Sequence, residues 1–204
     1  MIEFKIRASA GNKLLTNPRS KGEILSETTK TYLKEWAIEQ LYGVRKEIKS
    51  KYLDKGNRME DEAIDKTIEW LDLPFAIKNE ETFEDEFFKG TPDVVLDDMI
   101  IDTKCSYDCY TFPLFDTSIP NKDYEIQLQI YMHLTGKRKA KVVYLLLNTP
   151  DDIAPWEQKH NYNDKPSNLR FKSFSVDYDP EVIERLKERV LEGRKYISEI
   201  CAQL

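Results

Sequence analysis

The chain has 204 residues, 40% of them hydrophobic and 33% charged, which excludes a disordered or fibrous chain and suits one domain over 1–204 with its own core. Its longest apolar run, Val142–Leu147, is too short to cross a membrane, MIEFKIRAS has no apolar signal core, and three cysteines cannot all pair, so an intracellular protein with reduced thiols is expected. The net charge of −6 hides an acidic middle, 6 Lys and Arg against 19 Asp and Glu over 57–136, between flanks of 12 against 7 and 13 against 11; this suits either a solvated acidic face or a metal-dependent enzyme acting on a polyanion.

In chain order, Ser20–Tyr42 carries Ile24, Leu25, Thr28, Tyr32, Leu33 and Trp36 near helical spacing and predicts a helix broken by Gly43, with a second helix over Val44–Leu53. Met59–Leu71 predicts a third, with Met59, Ala63, Ile64, Ile68 and Leu71 on one stripe and Pro74 beyond its end. Residues 75–106 read as strands and 113–122 as a loop. Tyr124–Leu134 reads as a buried helix ended by Gly136, and Lys141–Leu147 as a buried strand. Residues 148–170 are polar and predict a long loop. Asp179 and Pro180 make an N-cap and first turn for a last helix to about Ile200. The order is α, β-meander, α, β, α: a mixed α/β (α+β) domain with its core over about 56–147, an N-terminal helical segment 1–55 and a C-terminal loop and helix 148–204.

The segment GTPDVVLDDMIIDTK, residues 90–104, threads four aspartates through apolar residues. With Asp97-Asp98 as a two-residue turn, Val95 faces Ile100, Val94 faces Ile101 and Asp93 faces Asp102. Side chains alternate along a strand, so Asp102 and Lys104 share a face and Thr103 points away. Two opposed carboxylates need a positive charge between them, and a hard cation such as Mg²⁺ takes such oxygens. The other reading is a plain hairpin with surface acids and a rim lysine. Glu60, at the edge of the apolar stripe of its helix, either completes the cation's shell or is an ordinary exposed glutamate. Gln127 and Tyr131 stand one turn apart in the buried helix. A buried glutamine must be hydrogen-bonded, either by the backbone or by Lys104 or a water. His133 reads as structural.

Pro92-Asp93, Asp102-x-Lys104, Glu60 on the preceding helix and Gln127-x-x-x-Tyr131 on the following one resemble the PD-(D/E)XK nuclease superfamily, within it the lambda-type phage exonuclease, YqaJ and RecB-like branch. The resemblance covers about 56–147 and implies a restriction-endonuclease-like core: a central mixed β-sheet flanked by helices, with an antiparallel hairpin carrying the site. It implies Glu60, Asp93, Asp102 and the Thr103 carbonyl as ligands of Mg²⁺ or Mn²⁺, with Lys104 positioning the attacking water and Gln127 and Tyr131 supporting the site. The activity implied is hydrolysis of phosphodiester bonds in DNA, most readily as an exonuclease of phage recombination or repair in the cytoplasm of a bacterial or phage-infected cell. An endonuclease of the same superfamily and an inactive nuclease-fold DNA-binding or regulatory protein are the alternatives. Some relatives carry an iron–sulfur cluster on four cysteines; Cys105, Cys109 and Cys201 do not match that pattern, so none is expected. A ring-shaped homotrimer and a single-strand annealing partner protein are further expectations of the resemblance. Arg7, Ser9, Lys13, Arg19 and Lys21 are candidate phosphate contacts or an ordinary charged segment. Tyr107, Tyr110, Phe112 and Phe115 are candidates for base stacking or for core packing, and Trp156, Lys159, Lys165, Arg170 and Lys172 for a clamp on DNA.

Overall fold

The computed structural model describes residues 3–153 and 160–204. A short strand, β1 (Ile6–Arg7), leads through a 3-10 turn (Ala8–Ala10) into a four-residue helix, α1 (Asn12–Leu15). Helix α2 (Glu27–Tyr42) begins at Ser26, whose hydroxyl accepts from the Thr29 amide, and ends at Gly43 with φ 67°. A cap that satisfies the first free amides explains a start later than Ser20. A glycine tolerates the left-handed turn that stops the helix.

The helix expected over Val44–Leu53 is displaced. Residues 44–50 are not helical, and α3 runs Lys51–Arg58. Val44 and Ile48 are exposed, so no buried face stabilises a helix there. Helix α4 (Glu60–Trp70) follows with Ala63, Ile64 and Thr67 buried.

Residues 75–106 hold β2 (Phe83–Glu84), β3 (Phe88–Gly90), β4 (Val94–Val95) and β5 (Ile100–Cys105). They do not make one meander. β3 lies between β1 and β2 in a three-stranded sheet, whereas β4 and β5 open a second sheet. Helix α5 (Lys122–Thr135) then crosses to β6 (Lys139–Leu145), which pairs in parallel with β5. Parallel neighbours require such a crossover. An additional strand, β7 (Phe171–Asp177), pairs antiparallel with β6 and gives the order β4-β5-β6-β7. Its single fully buried residue, Phe174, explains why no apolar alternation announced it. Helix α6 (Pro180–Cys201) starts where predicted, with the Asp179 side chain accepting from the Glu181 amide.

The alternation of β5 divides the core. Ile100 belongs to the larger cluster with Leu128, Ile130, Met132, Val142 and Leu186, under α5 and α6. Ile101 belongs to the smaller cluster with Ala63, Ile64, Val94, Val143 and Leu145, under α4. The sheet is therefore mixed and covered by helices on both faces, and β5 is its innermost carrier of polar residues.

Candidate active site

The hairpin has the register expected from the sequence. The Leu96 amide donates to the Met99 carbonyl at 2.8 Å, Val95 pairs with Ile100 and Val94 with Ile101. Just before β4, the Asp93 Oδ2 accepts from the Thr103 amide at 2.6 Å. Asp102 is 1% exposed, and its Oδ2 lies 2.6 Å from Lys104 Nζ. This is an ion contact without hydrogen-bond alignment, and Oδ2 has no hydrogen-bond donor among the described residues. Thr103 faces the other way, its hydroxyl 3.5 Å from that of Thr67 on α4.

Helix α5 brings Gln127 and Tyr131 over this pair. Gln127 Nε2 donates to Asp102 Oδ1 at 3.3 Å and to the Tyr131 hydroxyl at 2.9 Å, and Lys104 Nζ donates to Gln127 Oε1 at 3.4 Å. The buried glutamine is thus satisfied by side chains of the cluster rather than by the backbone. The Tyr131 ring lies against Gly90, where a Cβ would stand 2.5 Å from Cε1. Only glycine allows that approach without displacement.

Glu60 is the first residue of α4 and lines the same cleft of about 1290 Å³ as Asp93, Asp102 and Lys104. Its Oε1 accepts from Lys78 Nζ at 2.8 Å, and Lys78 also reaches Asp61 at 2.7 Å. Among the described residues no three His, Cys, Asp or Glu side chains form a ready ligand group. The structure brings Asp93 and Asp102 together and leaves Glu60 across the cleft with Lys78.

Burial, and then the neighbouring Asp102, push the Asp93 carboxyl up to about 7, against the opposing effects of Lys104 and the Thr103 amide. Burial works against the Lys104 ammonium, but Asp102 and Asp93 outweigh it and hold its pKa above the ordinary lysine value. Burial, with Asp102, also raises Tyr131, so its hydroxyl stays protonated. Two crowded carboxylates, Asp93 and Asp102, beside a single ammonium match what a hard divalent cation takes as ligands. The residues present therefore fit such an ion.

One buried group escaped the sequence reading. Lys55 on α3 is 0% exposed and donates to the carbonyls of Tyr107 at 2.9 Å and Leu147 at 2.6 Å. Burial lowers its pKa, with Cys105, Asp108 and Glu62 acting in the opposite direction. Nothing in its spacing separates it from an exposed helical lysine. Arg45 and Lys46, also unanticipated, line the cleft.

Of the candidate phosphate contacts, Ser9 lines the cleft and, with Arg7, a smaller recess beside it. Arg7 is paired with Glu39 at 2.7 Å. Lys13, Arg19 and Lys21 are exposed and line neither. Tyr107 and Phe112 are buried, whereas Tyr110 and Phe115 are exposed. Trp156 and Lys159 lie outside the described residues. Lys165 pairs with Asp164, Arg170 with the Leu146 carbonyl and Lys172 with the Leu114 carbonyl. His133 bridges the Tyr178 hydroxyl and Asp85, away from the carboxylate pair.

No family model matches the chain, and no curated protein does. Among solved structures it is similar to a phage related exonuclease from Haemophilus somnus 129PT, with a TM-score of 0.87 and 29% identity over 98% of this chain and 96% of that one. It also resembles an alkaline exonuclease, LHK-Exo, from Laribacter hongkongensis, with a TM-score of 0.72 and 18% identity over 98% and 92% of the two chains. LHK-Exo in complex with dAMP gives a TM-score of 0.71 at 19% identity, over 98% and 89%. The likeness in fold covers 98% of the chain, beyond the 56–147 core, and the chain is similar to phage-related and alkaline exonucleases, consistent with the phage-exonuclease branch of the PD-(D/E)XK nucleases that its motifs resemble.

Proposed function

We propose that the protein is a divalent-metal-dependent DNA exonuclease that hydrolyses phosphodiester bonds in the cleft between β5, α4 and α5. The observation that carries this reading is the half-buried Asp93–Asp102–Lys104–Gln127 cluster, in which two carboxylates and one ammonium meet on one hairpin. The likeness to the Haemophilus somnus phage related exonuclease supports it.

Asp93, Asp102 and the Thr103 carbonyl would hold the cation, Mg²⁺ or Mn²⁺, with Glu60 joining them once it leaves Lys78. The ion supplies positive charge that polarises the phosphate and lowers the pKa of the attacking water. Lys104 holds that water in line with the phosphorus and balances charge that develops on the phosphoryl oxygens. Gln127 fixes both Asp102 and Lys104 in orientation, and Tyr131 fixes Gln127. Ser9 in the cleft and Arg7 in the recess beside it would contact the DNA backbone, Arg7 on leaving Glu39. Lys13, Arg19 and Lys21 belong to this reading only as more distant contacts. A ring-shaped homotrimer and a single-strand annealing partner are parts of the same proposal, tested by sedimentation and by co-purification.

Labelled linear and covalently closed circular duplexes are incubated with Mg²⁺ or with EDTA. Progressive loss of the linear duplex alone, and only with Mg²⁺, is expected. Asp93→Ala, Asp102→Ala and Lys104→Ala reduce digestion to background while keeping the circular dichroism of the wild type. Cleavage of circles moves the assignment to an endonuclease, and full digestion by any of the three variants refutes the site.

A further inference from the structure

Of the four buried side-chain polar atoms without a hydrogen-bond partner among the described residues, three belong to residues that line one cleft: Asp102 Oδ2, Ser106 Oγ and Tyr144 Oη. A buried donor or acceptor left unpaired is destabilising, so such atoms are rare and call for a cause. The Lys104 ammonium at 2.6 Å and a bound cation would account for Asp102. They do not account for the two hydroxyls.

Their positions follow from strand geometry. Alternation along β5 and just past its end sets Asp102, Lys104 and Ser106 on one face. The Ser106 amide donates to the Leu145 carbonyl at 2.8 Å, which continues the pairing with β6 one step beyond β5. Tyr144 lies directly across from Lys104 in the parallel register. β4, just after Asp93, pairs with the opposite edge of β5, so the hydroxyls stand on the side of Lys104 away from Asp93. Tyr144 is 5% and Ser106 6% exposed. The Tyr144 ring is held by Phe174 and Tyr124, at centroid distances of 5.9 and 6.1 Å, and Lys104 Nζ lies 4.7 Å from the centre of the Tyr124 ring. Burial, then Tyr124, Asp102 and Asp116, raise the Tyr144 phenol, which therefore stays a donor.

One wall of the cleft thus carries an ammonium and, just beneath its surface, two hydroxyls without a partner among the described residues, beside an acid pair that fits a cation. A group that accepts several hydrogen bonds and carries negative charge matches this wall. We propose that the Tyr144 and Ser106 hydroxyls, together with Lys104, form a cradle for the non-bridging oxygens of the phosphoryl group at which the water oxygen replaces the leaving sugar oxygen, and which remains as a terminal phosphate monoester on one of the two products. The inference rests on the nuclease reading and adds two binding groups to it.

The test uses Tyr144→Phe and Ser106→Ala in the full chain, with dAMP and inorganic phosphate as probes in Mg²⁺ by calorimetry, alongside kcat and KM on linear duplex. Removal of a hydroxyl without a partner leaves the melting temperature of the free protein unchanged or raises it. Loss of a hydrogen bond to a charged group weakens dAMP binding and lowers kcat/KM by about ten-fold or more for Tyr144→Phe. The expected result is this split between unimpaired stability and weakened binding, in both variants. Wild-type affinity for dAMP and phosphate in Tyr144→Phe overturns the cradle, and so does a lowered melting temperature with binding intact, which marks a water-filled or structural role. A wild type that digests DNA while Tyr144→Phe matches it removes the cradle alone. A wild type that binds dAMP through Tyr144 but digests nothing keeps the cradle and removes the nuclease. A wild type that neither digests nor binds dAMP removes both.

Discussion

At the scale of single residues, Asp93 shows how a site can oppose the stability of its own fold. Its carboxyl is pushed up to about 7 by burial and by Asp102, against an ordinary value near 4 in the unfolded chain. The folded state therefore binds this proton more tightly than the unfolded state. The stability tied to it is complete below about pH 4 and is lost as the pH rises through about 7. Thermal melts of the metal-free protein should show this loss between pH 4 and 8, with Mg²⁺ restoring more stability at pH 8 than at pH 5. Asp93→Asn should flatten the profile, raise the metal-free melting temperature at pH 8 and remove the response to Mg²⁺; an unchanged profile counts against a charged pair at this position. The pairing of Asp93 with the 102–104 segment was legible from residue spacing, because a two-residue turn and period-two alternation leave one register. The burial of Lys55 was not, because a lysine in a short polar helix has the same local signature whether it faces solvent or two backbone carbonyls. Lys55→Ala takes the side-chain donor from the Leu147 carbonyl, leaves the Tyr107 carbonyl to the Thr149 hydroxyl alone, and should cost about 1–3 kcal/mol in denaturant unfolding.

At the scale of elements, those with a strong period or a cap came through. The stripe of α4, the Asp179 cap of α6 and the Gly136 end of α5 were all readable, since each rests on contacts within a few residues. Elements that exist only through distant partners were not. β1 has two residues and is a strand because β3 lies beside it, and β7 is a strand because β6 does. Packing between elements also decides the place of Tyr131. The glycine at 90 on β3 lets the ring of α5 come close, and the ring's hydroxyl in turn accepts from Gln127. Gly90→Ala should therefore move Tyr131 and loosen Gln127, lowering kcat by about ten-fold or more while KM for DNA changes little. Wild-type kcat in this variant excludes Tyr131 as a positioning residue.

At the scale of the whole molecule, charge sets the terms of DNA binding. The chain carries a net charge of −6, and its cleft holds Asp93, Asp102 and Glu60. Without a cation this acidic group, with Glu47, Asp54 and Glu80 in the same lining, repels a phosphate backbone, and the basic groups of the cleft, Arg45, Lys46, Lys78 and Lys104, oppose it only partly. Affinity for a short duplex, measured by fluorescence anisotropy, should rise about ten-fold or more when Ca²⁺ replaces EDTA, and Asp102→Asn should bind more tightly than wild type in EDTA. Equal affinity in all these conditions excludes the cleft as the DNA site. By itself the sequence determined the chemistry on offer: which acids, which amine and which amide stand at strand and helix spacing, because those periods are local properties of the backbone. The tertiary structure alone decided what each group meets: Glu60 held by Lys78, Gln127 shared among three side chains, Lys55 buried on two carbonyls just past the ends of β5 and β6, Tyr144 and Ser106 left without hydrogen-bond partners among the described residues. Those outcomes depend on contacts between residues tens of positions apart, and only the packed chain brings such residues together.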